Sequence, residues 1–407
     1  MFENLLYQDV SSLLISDINS NKLPSAILLS GPSAAGKLTC ALELARVLSC
    51  VNTDLSNRGH WLCECSACKK NKALSNVNVL LAGPRDCLLE IFAAKKTFLQ
   101  AVANNSSFVN ATRYLFIRAV KKLTIRFSQV LWEDHKDVSK IAAIIQIIDE
   151  NLELLDPEKP IPFFEDAEKI SEDIVVQCEK LDSSFMYDSI SIDQIRKASY
   201  WARIKSPEGK KIFIVENAEQ MNENSRNALL KILEEPPEDS VFILTTSKRG
   251  AVMPTILSRV RTYTFVDRTL EQQKEVIERV FHDYSAENCI NINTYLQNFL
   301  PVSLNIIKEQ AKLYFDSIIN GQLIPIDSVV KACSAFKPRI LFKVFLTSLL
   351  EVQKVMDYSA PYIEFESANL KSIRECYNFV SVYNQTPLSA LEKLYRDIAS
   401  NRRVYLR

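Results

Sequence analysis

The chain has 407 residues, long enough that a single core no longer grows with length, so two or three domains are expected. Apolar residues make up 47% and charged residues 24%, an ordinary globular balance. Lys plus Arg equals Asp plus Glu at 49 each, which excludes an overall basic nucleic-acid binder and leaves only local basic surface.

Residues 2–18 carry Phe2, Leu5, Leu6, Val10, Leu13, Leu14 and Ile18 at the spacing of an amphipathic helix. Ala26–Ser30 predicts a buried strand that runs into Ser30-Gly31-Pro32-Ser33-Ala34-Ala35-Gly36-Lys37-Leu38-Thr39. This is nearly a phosphate-binding loop, in which Gly31 and Gly36 free backbone N–H groups and Lys37 neutralises phosphate at a helix N-terminus. The position that should offer a hydroxyl to Mg²⁺ holds Leu38, and Thr39 is one residue too late, so its hydroxyl points away. A helix follows over Thr39–Ser49, then a cysteine-rich patch from Cys50 to Cys68, then a strand over Val77–Ala82.

Between about 86 and 187 strand character is weak. Helical periodicity marks Leu88–Ala103, Thr112–Glu133 and Val138–Leu155, with a break at Pro157, Pro160 and Pro162 and a further helix to Leu181. Alternation then returns. Ile192–Ile204 is helical, Lys211–Val215 a strand ending in Glu216-Asn217, and Asn224–Glu235 a helix stopped by Pro236-Pro237. Val241–Thr246 and Thr262–Val266 are strands. Such alternation around a phosphate loop predicts an α/β domain with a mostly parallel sheet and nucleotide at the strand C-termini. After Asp267 everything reads as helix, with a boundary near Gly321–Pro325. The expected division is a P-loop domain over 1–266, with a cysteine module at 50–68 and a helical insert at 86–187, then helical parts over 267–322 and 323–407. The insert reads as an outgrowth that leaves the sheet intact.

Arg113, Arg118, Lys121, Lys122 and Arg126 make a basic helix face, read first as solvated and alternatively as a contact for DNA or a partner. Arg226 and Lys231 are either phosphate contacts or ordinary helix-surface charges. The apolar stripe Ile340, Leu341, Val344, Phe345, Leu349 and Leu350 is expected to be mostly internal core. No apolar run nears the ~20 residues of a membrane span, and neither Met1–Asn4 nor Tyr405–Arg407 carries a sorting or lipidation signal. Ten cysteines, four of them bunched, fit reduced thiols and a metal site, hence a cytoplasmic setting. Zinc takes four soft ligands in a tetrahedron, and Cys50, Cys63, Cys65 and Cys68 offer them, with His60 as a substitute for Cys63 and with free thiols or a partly lost site as the alternative. Cys40, Cys87, Cys178, Cys289, Cys333 and Cys376 read as small buried apolar residues.

Asn227-Ala228-Leu229-Leu230-Lys231-Ile232-Leu233-Glu234-Glu235-Pro236-Pro237 closely resembles a signature of AAA+ clamp-loader subunits. Ile256-Leu257-Ser258-Arg259-Val260 resembles that family's Ser-Arg-Cys box with Val for Cys, and Ile192-Asp193-Gln194-Ile195-Arg196 resembles the stretch before its acidic strand. The cysteine patch sits where bacterial members carry a zinc module, although Cys63-x-Cys65 is one residue short of the family spacing. The likeness is strong over 22–85 and 190–266, weaker over 267–407 and absent from about 86–187; within the family it is closest to bacterial DNA polymerase III delta-prime subunits.

The resemblance implies an AAA+ P-loop domain, a small helical lid and a C-terminal helical collar. In motor subunits the acidic strand ends in Asp-Glu. Here Glu216 is one methylene too long to position the metal and Asn217 takes up no proton, while Asn305 stands where a second sensing Arg is common. With Leu38, these losses imply no intrinsic ATPase, since each such group supplies several kcal/mol to the transition state. ATP could still bind through Gly31, Gly36, Lys37 and backbone amides. The Ser258-Arg259 pair is intact, which implies an arginine finger acting in trans on a neighbour's ATP; the alternative is a surface Arg in a helix-ending salt bridge. The expectation is a stator in a hetero-pentamer with gamma/tau and delta subunits, loading the sliding clamp on primed DNA. The alternatives are a gamma-type motor ATPase and, less well matched, an unrelated P-loop protein that moves or repairs DNA.

Overall fold

The structure is a computed structural model that describes residues 1–54, 56–205, 209–284, 291–354, 359–381, 383 and 385–406. Five strands, β1 (Ala26–Ser30), β2 (Val79–Ala82), β3 (Lys211–Val215), β4 (Ser240–Thr246) and β5 (Arg261–Thr264), form one parallel sheet in the order β2-β3-β4-β1-β5. Every residue of the first four is buried. Strands covered on both faces need apolar side chains on both, so Ile212–Val215 and Val241–Leu244 read as unbroken apolar runs. Edge strand β5 buries only Tyr263.

The chain forms two compact units, Met1–Tyr295 and Leu296–Arg407. In chain order the helices of the first are α1 (Val10–Asn19), α2 (Lys37–Ser49), α3 (Ser66–Lys72), α4 (Cys87–Ala103), α5 (Val109–Thr124), α6 (Gln129–Trp132), α7 (Val138–Leu154), α8 (Phe164–Phe185), α9 (Ile192–Arg203), α10 (Glu223–Glu234), α11 (Pro254–Leu257) and α12 (Leu270–Phe281). The division falls within α13 (Ile292–Gln297). The helix expected from residue 2 begins only at Val10. Phe2 and Tyr7 take positive φ, so the chain turns there and drops Phe2 and Leu5 into the core without helix.

Alternation sorts the strand side chains onto two cores. Ile27, Leu29, Leu81, Ile214 and Ile243 face one side with Leu14, Leu38 and Leu44 of α1 and α2. Leu28, Leu80, Phe213 and Phe242 face the other, and there they share a continuous core with Phe98, Phe116, Ile148, Ile174 and Cys178. Those last residues belong to the 86–187 segment. The 86–187 segment is therefore a packed layer on one face of the sheet, not an outgrowth, and the sheet order is unbroken. Its second helix also stops early: α5 ends at Thr124, and a 3₁₀ turn over Ile125–Phe127 precedes α6. That turn carries Arg126 to the sheet, where its Nη1 donates to the Gly83 carbonyl at 2.6 Å, while Trp132 Nε1 donates to the Arg126 carbonyl at 2.9 Å.

Taken by itself, the second unit is helical, with α14 (Leu304–Asn320), α15 (Ile326–Ala332), α16 (Ile340–Gln353), α17 (Ala360–Ser381) and α18 (Pro387–Tyr405). The expected stripe on α16 is core: Ile340, Leu341, Val344, Phe345 and Leu349 are buried. Tyr314 stands edge-on to Phe345 with ring centroids 5.8 Å apart, and its hydroxyl donates to the Leu391 carbonyl at 2.6 Å.

Candidate nucleotide pocket and cysteine cluster

The loop after β1 and the turn after β3 meet at the C-terminal edge of the parallel sheet, where such folds gather ligands. Gly31 is required by close approach, because a Cβ there would lie 2.6 Å from Cβ of Phe265. Lys37 opens α2 with its ammonium turned back on the loop, donating to the Gly31 carbonyl at 2.8 Å and to that of Pro32. Burial lowers its pKa and nearby Arg85 adds to that, against the opposing pull of Glu219 and Glu216. Leu38 packs into the core beneath the sheet, so the first helical turn offers no hydroxyl at that position.

One residue the sequence did not single out braces this loop. Arg268, just past β5, donates from Nε and Nη2 to the Leu6 carbonyl at 3.1 and 2.9 Å and from Nη1 to the Ala34 carbonyl at 2.8 Å. Its only sequence signal is a charge beside Asp267, indistinguishable from a solvated one.

Glu216 directly follows β3 and is buried, and each of its oxygens holds a guanidinium. Arg85 Nη1 lies 2.7 Å from Oε1, and Arg126 Nη2 bonds Oε2. Arg85 also reaches Glu90 at 3.0 Å, and Glu90 pairs with Lys122. Burial alone would raise the Glu216 pKa, but Arg85 and Arg126 outweigh it and hold the carboxylate below its usual range. The same balance, with Lys122 and Arg85 as the cations, brings Glu90 down to about 2. Gly83 makes the junction fit: it sits at φ +116°, and a Cβ there would lie 2.1 Å from the Glu216 carbonyl oxygen. Asn217 adopts a left-handed conformation and spends its amide on the Pro84 carbonyl, 2.7 Å away.

The basic run is thus not a solvated face. Arg113 is buried and donates to the carbonyls of Pro157, Lys159 and Pro160. Arg118 donates to the Lys72 carbonyl at 2.5 Å and lies over the rings of Trp61 and Tyr114. Lys121 pairs with Asp149. Arg259, after α11, is partly exposed; it pairs with Glu234 at 2.6 Å and donates to the Thr255 carbonyl at 2.8 Å. On α10, Arg226 is half-buried and Lys231 exposed. Asn305 is exposed on α14 of the second unit.

The four cysteines converge. The Sγ atoms of Cys50, Cys63, Cys65 and Cys68 all lie within 4.8 Å of one another, with Cys50 at 3.7 Å from Cys63 and 3.8 Å from Cys65. Four thiolates around an ion at about 2.3 Å stand roughly 3.8 Å apart, so the cluster could hold a tetrahedral metal ion. The short Cys63-x-Cys65 spacing is accommodated because Cys65 is the residue before α3 and the first turn of that helix brings Cys68 back toward it. Polar groups support the sulfurs from outside: Gly59 N–H donates to Cys50 at 3.3 Å, Asn52 Nδ2 to Cys63 at 3.4 Å and Arg46 Nη1 to Cys68 at 3.9 Å. Burial resists ionisation of Cys65, yet the N–H groups of Cys68 and Val51 and the neighbouring thiols bring it down to about 6. His60 is not among the ligands; it is exposed and its Nδ1 faces Glu3 at 3.0 Å. Cys40, Cys87, Cys178, Cys333 and Cys376 are buried, and Cys289 lies outside the described residues.

A family described as DNA polymerase III, delta subunit, matches residues 7–132 and 133–269, so the match runs through the 86–187 segment. The gamma/tau subunit of Mycobacterium bovis DNA polymerase III is 40% identical over 72 residues, 18% of this chain and 12% of that protein. The delta-prime subunit of Bacillus subtilis is 39% identical over 71 residues, covering 16% of this chain and 22% of that one. That of Pseudomonas aeruginosa is 41% identical over 71 residues, covering 17% and 22%. The matches span under a quarter of the length of these curated relatives. The crystal structure of a gamma subunit-related protein from Thermotoga maritima is similar at 17% identity, covering 57% of this chain and 90% of that one, with a TM-score of 0.27. With well over half of its residues matched, the chain belongs to the DNA polymerase III delta subunit family.

Proposed function

We propose that this chain is a non-hydrolysing, delta-prime-like subunit of a DNA polymerase III clamp loader. The observation that carries the reading is the state of Glu216, whose two oxygens are both held by arginines. Hydrolysis of ATP by this class of site needs a carboxylate and a hydroxyl on Mg²⁺ and a group that orients water. Here the carboxylate is committed, Leu38 is a core residue and Asn217 is tied to Pro84. The residues present do not fit Mg²⁺. Relatives named gamma/tau and delta-prime match equally well, so the pocket, not the identity, favours the stator over the gamma-type motor.

In this reading Arg259 leaves Glu234 to reach the γ-phosphate of a neighbour's ATP. A partly exposed guanidinium held by one exposed carboxylate and the Thr255 carbonyl is compatible with such an exchange. The chain would work in a cytoplasmic hetero-pentamer with gamma/tau and delta subunits, loading the sliding clamp on primed DNA. Its parts would be an AAA+ domain over 1–266, a lid over 267–322 and a collar over 323–407. The cysteine cluster would hold zinc, which cross-links the end of α2 to α3.

The test is reconstitution with a motor subunit and delta. The chain alone should release no phosphate from ATP. In the complex, Arg259→Ala should lower DNA-stimulated ATPase by roughly 10³-fold at the neighbouring site. Steady turnover by the isolated chain that vanishes in Lys37→Ala would replace this reading with the motor.

A further inference from the structure

The arginine pair does more than disable Glu216. We infer that Arg85 and Arg126 stand in for the divalent cation, so that the loop around Lys37 takes a nucleoside polyphosphate without metal. This rests on the non-hydrolysing reading and deepens it.

A carboxylate that ligates Mg²⁺ brings an oxygen within about 2.1 Å of the ion. Each Glu216 oxygen keeps a second lone pair, but each already carries a guanidinium whose charge opposes a second cation there. The Glu216 carboxylate is buried, with Arg85 on one oxygen and Arg126 on the other, and Arg126 is fixed a second time by the Gly83 carbonyl at 2.6 Å. No rotation of either side chain frees an oxygen without leaving a buried charge unpaired, which costs several kcal/mol. The usual second protein ligand is missing as well, because Leu38 has no donor.

Charge points the same way. Two guanidiniums are always protonated and together bring the two positive charges that a divalent ion would. They sit at the carboxylate where that ion would be expected. Arg126 is buried and serves Glu216, whereas the Arg85 side chain is 30% exposed. Arg85 is also close enough to Lys37 to depress its ammonium. Its Nη1 and Nη2 each hold one carboxylate, Glu216 and Glu90, and the N–H groups left over at that rim are the ones a phosphate oxygen would meet. Loop N–H groups, Lys37 and Arg85 then form one cationic cradle. Arg126 belongs to the insert, so the segment absent from the recognised motifs supplies half of the replacement charge.

The experiment is isothermal titration of ATP into the full chain, once with EDTA and once with excess Mg²⁺, with phosphate release followed in the same samples. The expected result is binding whose Kd agrees within about twofold in the two buffers, with no phosphate released. Arg85→Gln, a partly exposed position that leaves Arg126 in place, should weaken binding in EDTA roughly tenfold or more and make it respond to Mg²⁺. Binding by the unaltered chain that tightens tenfold with Mg²⁺ overturns the inference, and so does no binding at millimolar ATP in either buffer. Absence of binding leaves the stator reading intact, whereas phosphate release defeats that reading separately.

Discussion

The cysteine cluster and the turn at Glu216 lie in the same unit, and both gather side chains that commonly hold cations, yet they end up as opposites. Around the cysteines, the polar neighbours donate from the periphery and the four sulfurs converge, leaving an ion-sized separation of 3.7 and 3.8 Å between ligand atoms. Around Glu216, the neighbours are themselves cations and sit directly on both carboxylate oxygens. What decides metal fit is therefore where the supporting charges are anchored, not which ligand types are present. Trp61 lies within about 6 Å of Arg46, Lys72 and Arg118, so α5 reaches the cysteine module while the turn after it carries Arg126 to Glu216.

Breaking the Glu216 side should have the largest effect. Arg126→Ala removes one partner from a buried carboxylate and is expected to cost about 3–5 kcal/mol in urea unfolding. Arg126→Ala combined with Glu216→Gln should recover much of that loss, because the unpaired charge goes with it. A single-variant cost under about 1 kcal/mol would mean that water, not arginine, satisfies the carboxylate, and the contrast would dissolve. The acid limb is a second lever. Glu90 is held at about 2, below its unfolded value, so its stabilisation is complete above pH ~4.3 and is lost as pH falls from there toward 2. The shift corresponds to about 3 kcal/mol, and Glu90→Gln should flatten the unfolding free energy over that window. An unchanged slope would remove Glu90 from the network.

These two regions were also unequally legible in the sequence. Strands β1, β3 and β4 announce themselves because burial on both faces demands unbroken apolar runs. The four cysteines announce themselves because ligand types cluster within 19 residues of chain, Cys50 to Cys68, and local turns alone bring them together. Arg126 does not. Its partner is 90 residues away, and in the run from Arg113 to Arg126 a helix-surface charge and a buried one are the same letter at the same spacing. Arg268 is hidden likewise, since its partners are main-chain carbonyls of Leu6 and Ala34, which carry no side-chain signature. Periodicity reveals where apolar surface goes. It does not reveal which charge follows it inside.

The cysteine side yields the smaller effects. Arg46 is buried and fixed by Glu43, by the Gly59 and His60 carbonyls and by Cys68. Arg46→Lys keeps the charge but loses the planar fork, and zinc affinity measured by chelator competition should fall roughly 10- to 100-fold. No change would mean that the sulfurs are held by backbone alone.

Asn52→Ala should register least. It removes one hydrogen bond to Cys63, 3.4 Å long and at the partly buried rim of the cluster. A neutral side-chain hydrogen bond contributes about 0.5–1.5 kcal/mol net, and bonds to sulfur lie toward the weak end, so zinc release should quicken only a few-fold. The fold, read by unfolding with zinc saturating, should be nearly unchanged, because the metal-bound sulfur loses only one weak outer bond. If Asn52→Ala instead matched Arg46→Lys, support for the sulfurs would be shared evenly around the rim, and Arg46 would lose its special standing as the only guanidinium bonded to a cluster sulfur among the described residues.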